Sequence, residues 1–552
     1  MEELSILIGG KAGDGIRQAG QTLARLLTRI GYRIFFYDDY PSLIRGGHNF
    51  SIIRASKKKI QAHKEKVDLI VALNQDAVEK HKHRLNPGGV ILYDSKKVEA
   101  QGEGVGVDFM GLVKELEGAS IMRNTAALGA LAKVLNIEWE MLERVITDTI
   151  EKAVDLNLKI AQSAYHQVEK AWLSVRKLDQ KMLPLVSGNE AIALGAVQGG
   201  LNMYIAYPMT PASAILHYLA EHEDELGVVT IHPESEIGVV LMALGAAYAG
   251  ARTMVGTSGG GFALMTEALS LSGQGEIPIV FIVSQRPGPG TGVPTYTMQG
   301  DLSFVIHSGH GEFAKVVLAP GDAEEAFYLT GLAMNLAWKF QTPCFVLSDK
   351  HLSESIFSFD ADPDKIKPED PLLWDGQGEY KRYLDTQNGI SPLAFPGNPA
   401  AMVKATSYEH DEYGITTEES EQIVRMQKKR LRKKKTLEDE LSRCEQVKVY
   451  GNLESKTVLL CWGSTKGACI EVAEELGLKV VQPMVLEPLP IEPLKKALSG
   501  ADKIIDIEVN TTGQLAKHVS AYGICIDDMI LRFDARPFTV DSLLEKVKEV
   551  LS

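Results

Sequence analysis

Three short stretches carry side chains suited to holding a small anionic ligand: YPMTP (Tyr207 to Pro211), HPESEIG (His232 to Gly238) and SQRPGPGTG (Ser284 to Gly292). They supply the hydroxyl of Thr210, the carboxylates of Glu234 and Glu236, and the guanidinium of Arg286. A carboxylate can hold or move a proton, and a guanidinium fork can grip another carboxylate through two parallel hydrogen bonds. Glu234 and Glu236 lie two residues apart, so in extended backbone they share a face and spacing does not choose between them. A fourth stretch, GGKAGDGIRQAG from Gly9 to Gly20, is a glycine turn after a strand-like run. Its glycine spacing misses the dinucleotide fingerprint at Gln18, and the lysine and hydroxyl of a nucleotide-binding P-loop are absent. A magnesium grip on thiamine diphosphate would pair Asp14 with a downstream Asn, but the nearest, Asn49, lies beyond an intervening strand. Two readings stay open for this turn: backbone N–H contacts to an anion or coenzyme, or tight packing against a neighbour.

The elements that must position these residues alternate between strand-like apolar runs and helical spacing from the start of the chain. LSILIGG, YRIFFYDDY, FSIIRAS, VDLIVALN and GGVILYDS read as strands of a parallel α/β sheet, with a helix over Ile16 to Ile30. A second α/β domain has strands at NMYIAYP, GVVTIHP, ARTMVGTS, IPIVFIVS, KVVLA and PCFVLSD. The three reactive stretches each follow one of these strands, so in an open parallel sheet they meet in one crevice at the carboxyl ends. A Pro-, Asp- and Gly-rich connection follows, then a charged segment, QIVRMQKKRLRKKKTLEDELSR, whose basic run reads as a solvated helix more readily than as a docking patch. KTVLLCWGS, KVVQPMV and ADKIIDIEV return to α/β order before a closing helix. The expected layout is an α/β chain of three domains: 1–176, 187–356 and 451–552, with 357–450 as connection and charged helix.

Composition narrows the function classes. The 552 residues are 45% apolar and 24% charged, ordinary for packed cores, and the net charge of −14 disfavours nucleic acid and anionic membrane as partners. The longest apolar stretch, Val239 to Ala251, suits a buried helix rather than a bilayer span, and MEELSILIGG has no basic signal-like region, so a cytoplasmic location is expected. The five cysteines form no CxxC pair and read as buried hydrophobes, so no metal site is expected on this chain.

YPMTP, the ESE of HPESEIG and QRPGP resemble the pyrimidine-binding domain of the 2-oxoacid:ferredoxin oxidoreductases, with Met209 standing where the family typically has Ile. GGKAGDG, RGGHN and NTAALGALA are similar to the gamma domain of that family, EHDEYGITTE and MQKKRLRK to a signature upstream of the last domain, and VLLCWGSTKG and EVNTTGQLAKHV to a transketolase-C-like domain. The resemblance covers nearly the whole chain in a fused gamma-alpha order. It implies thiamine-dependent oxidative decarboxylation of a 2-oxoacid, 2-oxoglutarate favoured, with coenzyme A as acyl acceptor and ferredoxin as electron acceptor, a reaction the family also runs in reverse. It implies Glu236 as the carboxylate beside the aminopyrimidine, Thr210 on substrate or cofactor with Pro208 beside it, and Arg286 on the substrate carboxylate. It also implies a beta subunit bearing the shared diphosphate grip, Mg2+ and a [4Fe-4S] cluster, in an (alpha-beta)2 heterotetramer. Two rivals are carried alongside: a non-oxidative thiamine decarboxylase or transketolase-like enzyme, and a non-catalytic binding subunit with a degenerate thiamine fold.

Overall fold

The computed structural model describes residues 1–42, 47–99 and 104–552. The chain divides into two compact units, Met1–Val186 with Glu354–Asp360 and Thr539–Ser552, and Ser187–Ser353 with Ala361–Phe538. The closing helix Val540–Leu551 therefore groups with the first unit and not with residues 451–538 as expected. Val540 N–H donates to His63 O at 3.1 Å, and Asp541 accepts from Glu65 N–H at 2.7 Å. Likewise the strand Ile356–Ser358 joins the first unit's sheet, so the expected second domain, drawn to residue 356, runs a few residues past the end of this unit's segment at Ser353.

In the first unit, an eight-stranded sheet runs in the order Gly104–Val107, Leu85–Asp94, Val67–Ala72, Glu3–Lys11, His48–Ser56, Arg33–Asp39, Ile356–Ser358 and Leu185–Ser187. Its first four strands are parallel, but His48–Ser56 is antiparallel to both Glu3–Lys11 and Arg33–Asp39. The all-parallel expectation fails here for a topological reason. Only eight residues separate Asp39 from His48, fewer than the roughly dozen that a parallel crossover needs, so Arg33–Asp39 and His48–Ser56 pair antiparallel. Helices Ile16–Arg29, Arg123–Val134 and Val154–Gln167 pack on this sheet around Leu4, Ile6, Leu23, Leu27, Leu131 and Ile160. The NTAALGALA motif lies in the second of these. A Cβ on Gly129 would overlap the backbone of Ala161, so glycine there permits the close approach of two helices.

The second unit holds a seven-stranded sheet in the order Val485–Glu487, Val316–Leu318, Pro343–Asp349, Ile279–Gln285, Thr253–Thr257, Met203–Ile205 and Val229–Ile231. All but the first are parallel, as their helical crossovers require. A five-stranded sheet, Val447–Gly451, Lys479–Pro483, Thr457–Cys461, Lys503–Glu508 and Asp528–Leu531, lies beside it in the same unit. Buried charge joins the two. Lys466 Nζ pairs with Asp322 and donates to Glu325 Oε1 at 2.8 Å, while Lys448 Nζ reaches the same oxygen at 3.1 Å.

The charged segment forms the helix Ser420–Leu441; Lys428 and Lys435 at the ends of its basic run are exposed as expected, but Lys429, Arg430 and Lys433 are buried. Met426, Lys429, Arg430, Lys433, Leu437 and Leu441 make the buried stripe, whereas Leu431 is 61% exposed. Helical phase, not residue polarity, selects the buried face. Lys429 and Lys433 are drawn in by Glu276, which accepts from their Nζ atoms at 2.6 and 2.7 Å. Burial pushes the Glu276 carboxyl up, and Lys429, Lys433 and Arg382 outweigh it and hold it well below the usual range. Arg430 pairs with Glu409 of the EHDEYG stretch, so the two expected signatures meet. Because removing the one carboxylate strands buried cations, Glu276→Ala should destabilise the second unit by about 3–5 kcal/mol. Glu276→Leu combined with Lys429→Met and Lys433→Met should recover most of it, and chemical denaturation followed by tryptophan fluorescence checks both.

Candidate active site

The carboxyl ends of Met203–Ile205, Val229–Ile231, Thr253–Thr257 and Ile279–Gln285 point to one edge of the parallel sheet. The loop after the first carries Pro208 and Thr210, both half-buried, and is held from behind by Asn189 Nδ2, which donates to Pro211 O at 2.8 Å. After the second strand, Ser235 caps the helix Glu236–Tyr248, its Oγ accepting from Gly238 N–H at 3.4 Å. That cap turns Glu236 inward and leaves Glu234 on the surface. Glu236 is only 5% exposed, and its carboxylate has no hydrogen-bond partner among the described residues. Two acids that sequence spacing could not tell apart are thereby separated by burial.

Arg286 begins the loop after Ile279–Gln285 and is half-buried. Its Nη1 donates to Thr210 O at 2.9 Å, which joins two of the three reactive stretches directly. It is thus the Thr210 carbonyl, and not its hydroxyl, that meets the guanidinium.

Two parts of the crevice were not singled out from sequence. The first is TSGGG, where Ser258 precedes the helix Gly259–Gly275. Ser258 Oγ is buried without a partner among the described residues, and a Cβ on Gly261 would overlap both Thr257 Oγ1 and Glu236 Oε1. The glycines therefore make room for the Glu236 carboxylate beside the free N–H groups of a helix start, where negative charge is favoured. A glycine run between a strand-like and a helical pattern was the available signal. The second part is Asp301, whose carboxylate a Cβ on Gly259 would overlap. Burial pushes its pKa up to about 6, against the opposing pull of Arg286. Sequence offers no signal for it, since it lies fifteen residues beyond Arg286 in a loop without regular spacing.

The GGKAGDG turn lies in the first unit. Gly13 and Gly15 hold φ of 89° and 71°, a region that favours glycine. Asp14 Oδ2 accepts from Lys11 N–H at 2.9 Å, and its other oxygen pairs with Arg123. A carboxylate so committed is a turn-builder rather than a metal ligand. Asn49 faces Gly10 across the antiparallel pair, and His48 Nε2 shares a 2.7 Å hydrogen bond with His81 Nε2. Arg45 and Gly46 of the RGGHN motif fall outside the described residues.

A thiamine pyrimidine would fit the crevice: a carboxylate on a largely buried side chain, with no hydrogen-bond partner among the described residues, is what a protonated ring nitrogen would satisfy, and glycines leave the space beside it. Family models match the chain in two stretches, the thiamine-diphosphate-binding domain of pyruvate flavodoxin/ferredoxin oxidoreductases over residues 194–429 and pyruvate ferredoxin/flavodoxin oxidoreductase over residues 5–167. The fold and these matches together define a thiamine-diphosphate-binding oxidoreductase subunit. The alpha subunit of 2-oxoacid:ferredoxin oxidoreductase 2 from Aeropyrum pernix is 32% identical, with 100% of this chain and 98% of that one covered. This chain belongs to the 2-oxoacid:ferredoxin oxidoreductases, as an alpha subunit. The solved 2-oxoglutarate:ferredoxin oxidoreductase from Magnetococcus marinus, with 2-oxoglutarate, coenzyme A and succinyl-CoA bound, is 31% identical with all of both chains covered and a TM-score of 0.93. The 2-oxoglutarate oxidoreductase subunit KorA of Mycobacterium tuberculosis is 28% identical over 94% of this chain and 87% of its own. No helix among the described residues is long and apolar enough to cross a membrane.

Because its carboxylate is spent on Lys11 and Arg123, Asp14→Asn should leave thiamine diphosphate affinity unchanged within about threefold while lowering the stability of the first unit by about 1–3 kcal/mol. Calorimetric titration of the assembled enzyme, with thermal unfolding alongside, checks the two halves separately.

Proposed function

We propose that this chain supplies the pyrimidine side of an active site that oxidatively decarboxylates a 2-oxoacid, with 2-oxoglutarate as the preferred substrate. The observation that carries this reading is the unpartnered carboxylate of Glu236, buried against the glycine start of a helix one loop away from a guanidinium. In the net reaction the C1–C2 bond of the 2-oxoacid breaks, CO2 leaves, the acyl group passes to the thiol of coenzyme A, and two electrons go to ferredoxin. Thiamine diphosphate supplies the carbon nucleophile and electron sink when bound. Glu236 holds a proton between its carboxylate and the far nitrogen of the aminopyrimidine, which tunes the basicity of that ring. Arg286, pinned by the Thr210 carbonyl, presents its remaining N–H groups to the substrate carboxylate, and Thr210 and Pro208 line the same side.

The preference for 2-oxoglutarate rests on the bound molecules of the Magnetococcus marinus enzyme and on relatives named 2-oxoglutarate synthase. The reading requires a beta subunit to bring the diphosphate grip, Mg2+ and a [4Fe-4S] cluster, in an (alpha-beta)2 assembly working in the cytoplasm. Two helices that start at the crevice support a covering partner. Ile237, Leu241 and Met242 on one, and Leu264 on the other, are each about half exposed. A stripe of this kind calls for a partner surface.

In the assembled complex, Glu236→Gln should keep much of the cofactor affinity yet lower turnover by roughly 10²–10⁴. Proton–deuterium exchange at thiamine C2 without substrate should slow in Glu236→Gln and stay near normal in Glu234→Gln; an unslowed exchange in the former removes Glu236 from this role. Arg286→Ala should raise the Michaelis constant for the 2-oxoacid by roughly ten- to a thousandfold with little effect on coenzyme A. An unchanged 2-oxoacid constant removes Arg286 from the site.

A further inference from the structure

Asp301 is the acid of the crevice that the reaction as described leaves without a task. It closes the loop that Arg286 opens, and its N–H donates to Gln285 Oε1 at 2.9 Å, on the residue before Arg286. The far end of that loop is anchored by Gln299, which is fully buried: its N–H donates to Val509 O at 2.7 Å and its Nε2 to Trp462 O at 2.8 Å. The Asp301 side chain is therefore aimed by fixed backbone, against the first turn of the helix Gly259–Gly275. Its carboxylate accepts no hydrogen bond among the described residues, and it forms no contact ion pair with Arg286, although the Arg286 charge acts on it.

The groups facing Asp301 are few. Gln285 lies on the strand side, neutral Gln514 braces the next residues by accepting from Ser303 N–H at 2.9 Å and donating to Gly300 O at 2.7 Å, and glycines form the helix turn. The charge that acts on Asp301 is that of Arg286, whereas Glu236 Oε1 lies against Gly261, two residues along the helix from the Gly259 that Asp301 abuts.

We propose that Asp301 is a positioning residue for 2-oxoacid binding: its carboxylate shares the field of Arg286 with the incoming substrate carboxylate, so that binding takes up a proton at Asp301. This rests on the proposed role of Arg286. In the free site burial already poises Asp301 near pH 6, so at neutral pH it is ionised and balances Arg286. A substrate carboxylate arriving at Arg286 places a second negative charge in the same desolvated space, and like charges raise each other's pKa. Protonated Asp301 leaves the guanidinium to the substrate; ionised Asp301 competes for it. By linkage, affinity for the 2-oxoacid falls as pH rises above the pKa of the free site.

The test is the Michaelis constant for the best 2-oxoacid, measured in the assembled enzyme with saturating coenzyme A and electron acceptor, from about pH 5.5 to 8.5. The wild type should show the constant rising by about tenfold between pH 6 and 8. Asp301→Asn should abolish that rise and bind the 2-oxoacid about five- to tenfold more tightly than wild type at pH 8, with the coenzyme A constant unmoved. Asp301→Glu should restore the pH dependence. Should the Asn variant fail to assemble, Asp301→Ser, which also suits the start of the helix Leu302–His307, must flatten the profile in its place. A wild-type slope retained in Asp301→Asn or Asp301→Ser, or a flat wild-type profile, overturns the inference. Arg286→Ala run in parallel separates the failures, because an unchanged 2-oxoacid constant there overturns the reading of Arg286 itself.

Discussion

The buried charge of Glu276 is the constraint on which the second unit depends. It terminates the helix Gly259–Gly275 in a left-handed conformation, and a carboxylate fully removed from water must be met by cations. Lys429 and Lys433 meet it from more than 150 positions further along the chain, as the sequence separations of 153 and 157 record. Arg382 adds to the same knot by donating to the carbonyls of Gly275 and Glu276 at 3.1 and 2.7 Å. One end of the helix is thus locked by ion pairs, and the opposite end is free to offer its N–H groups to the crevice. A buried carboxylate with cations of its own binds structure; a buried carboxylate without them, Glu236, is available to a ligand.

The same logic sets the Arg286 loop. Glu325 and Asp322 hold Lys466 between the two sheets of the second unit, and this fixes the turn that presents the Trp462 carbonyl to Gln299. Asn510 Nδ2 donates to Gln299 O at 3.0 Å from the other side. A loop with glycines at Gly288, Gly290 and Gly292 would otherwise sample many conformations. Anchoring its last residues confines the search and leaves Arg286 and Asp301 facing one crevice. In this fold the last sheet braces the Arg286 loop and lies with the seven-stranded sheet in one compact unit.

The order of strands and helices, the three reactive loops and the family were legible in the sequence, because apolar periodicity and loop motifs are local properties written in consecutive residues. Helix Ile16–Arg29 and the strands of the second unit follow their patterns closely. Long-range pairing was not legible. The antiparallel course of His48–Ser56, the strand Ile356–Ser358 in the first unit's sheet and the docking of Val540–Leu551 each depend on contacts with distant segments. Likewise the burial of Lys429 and Lys433 follows from Glu276, which no window of adjacent residues contains. The sequence by itself determined which side chains the crevice could use. Only the tertiary structure decided that Glu236 turns inward while Glu234 faces water, that Thr210 meets Arg286 through its carbonyl, and that Asp301 joins them, because burial and charge pairing are set by what packs across the sheet rather than by what comes next in the chain.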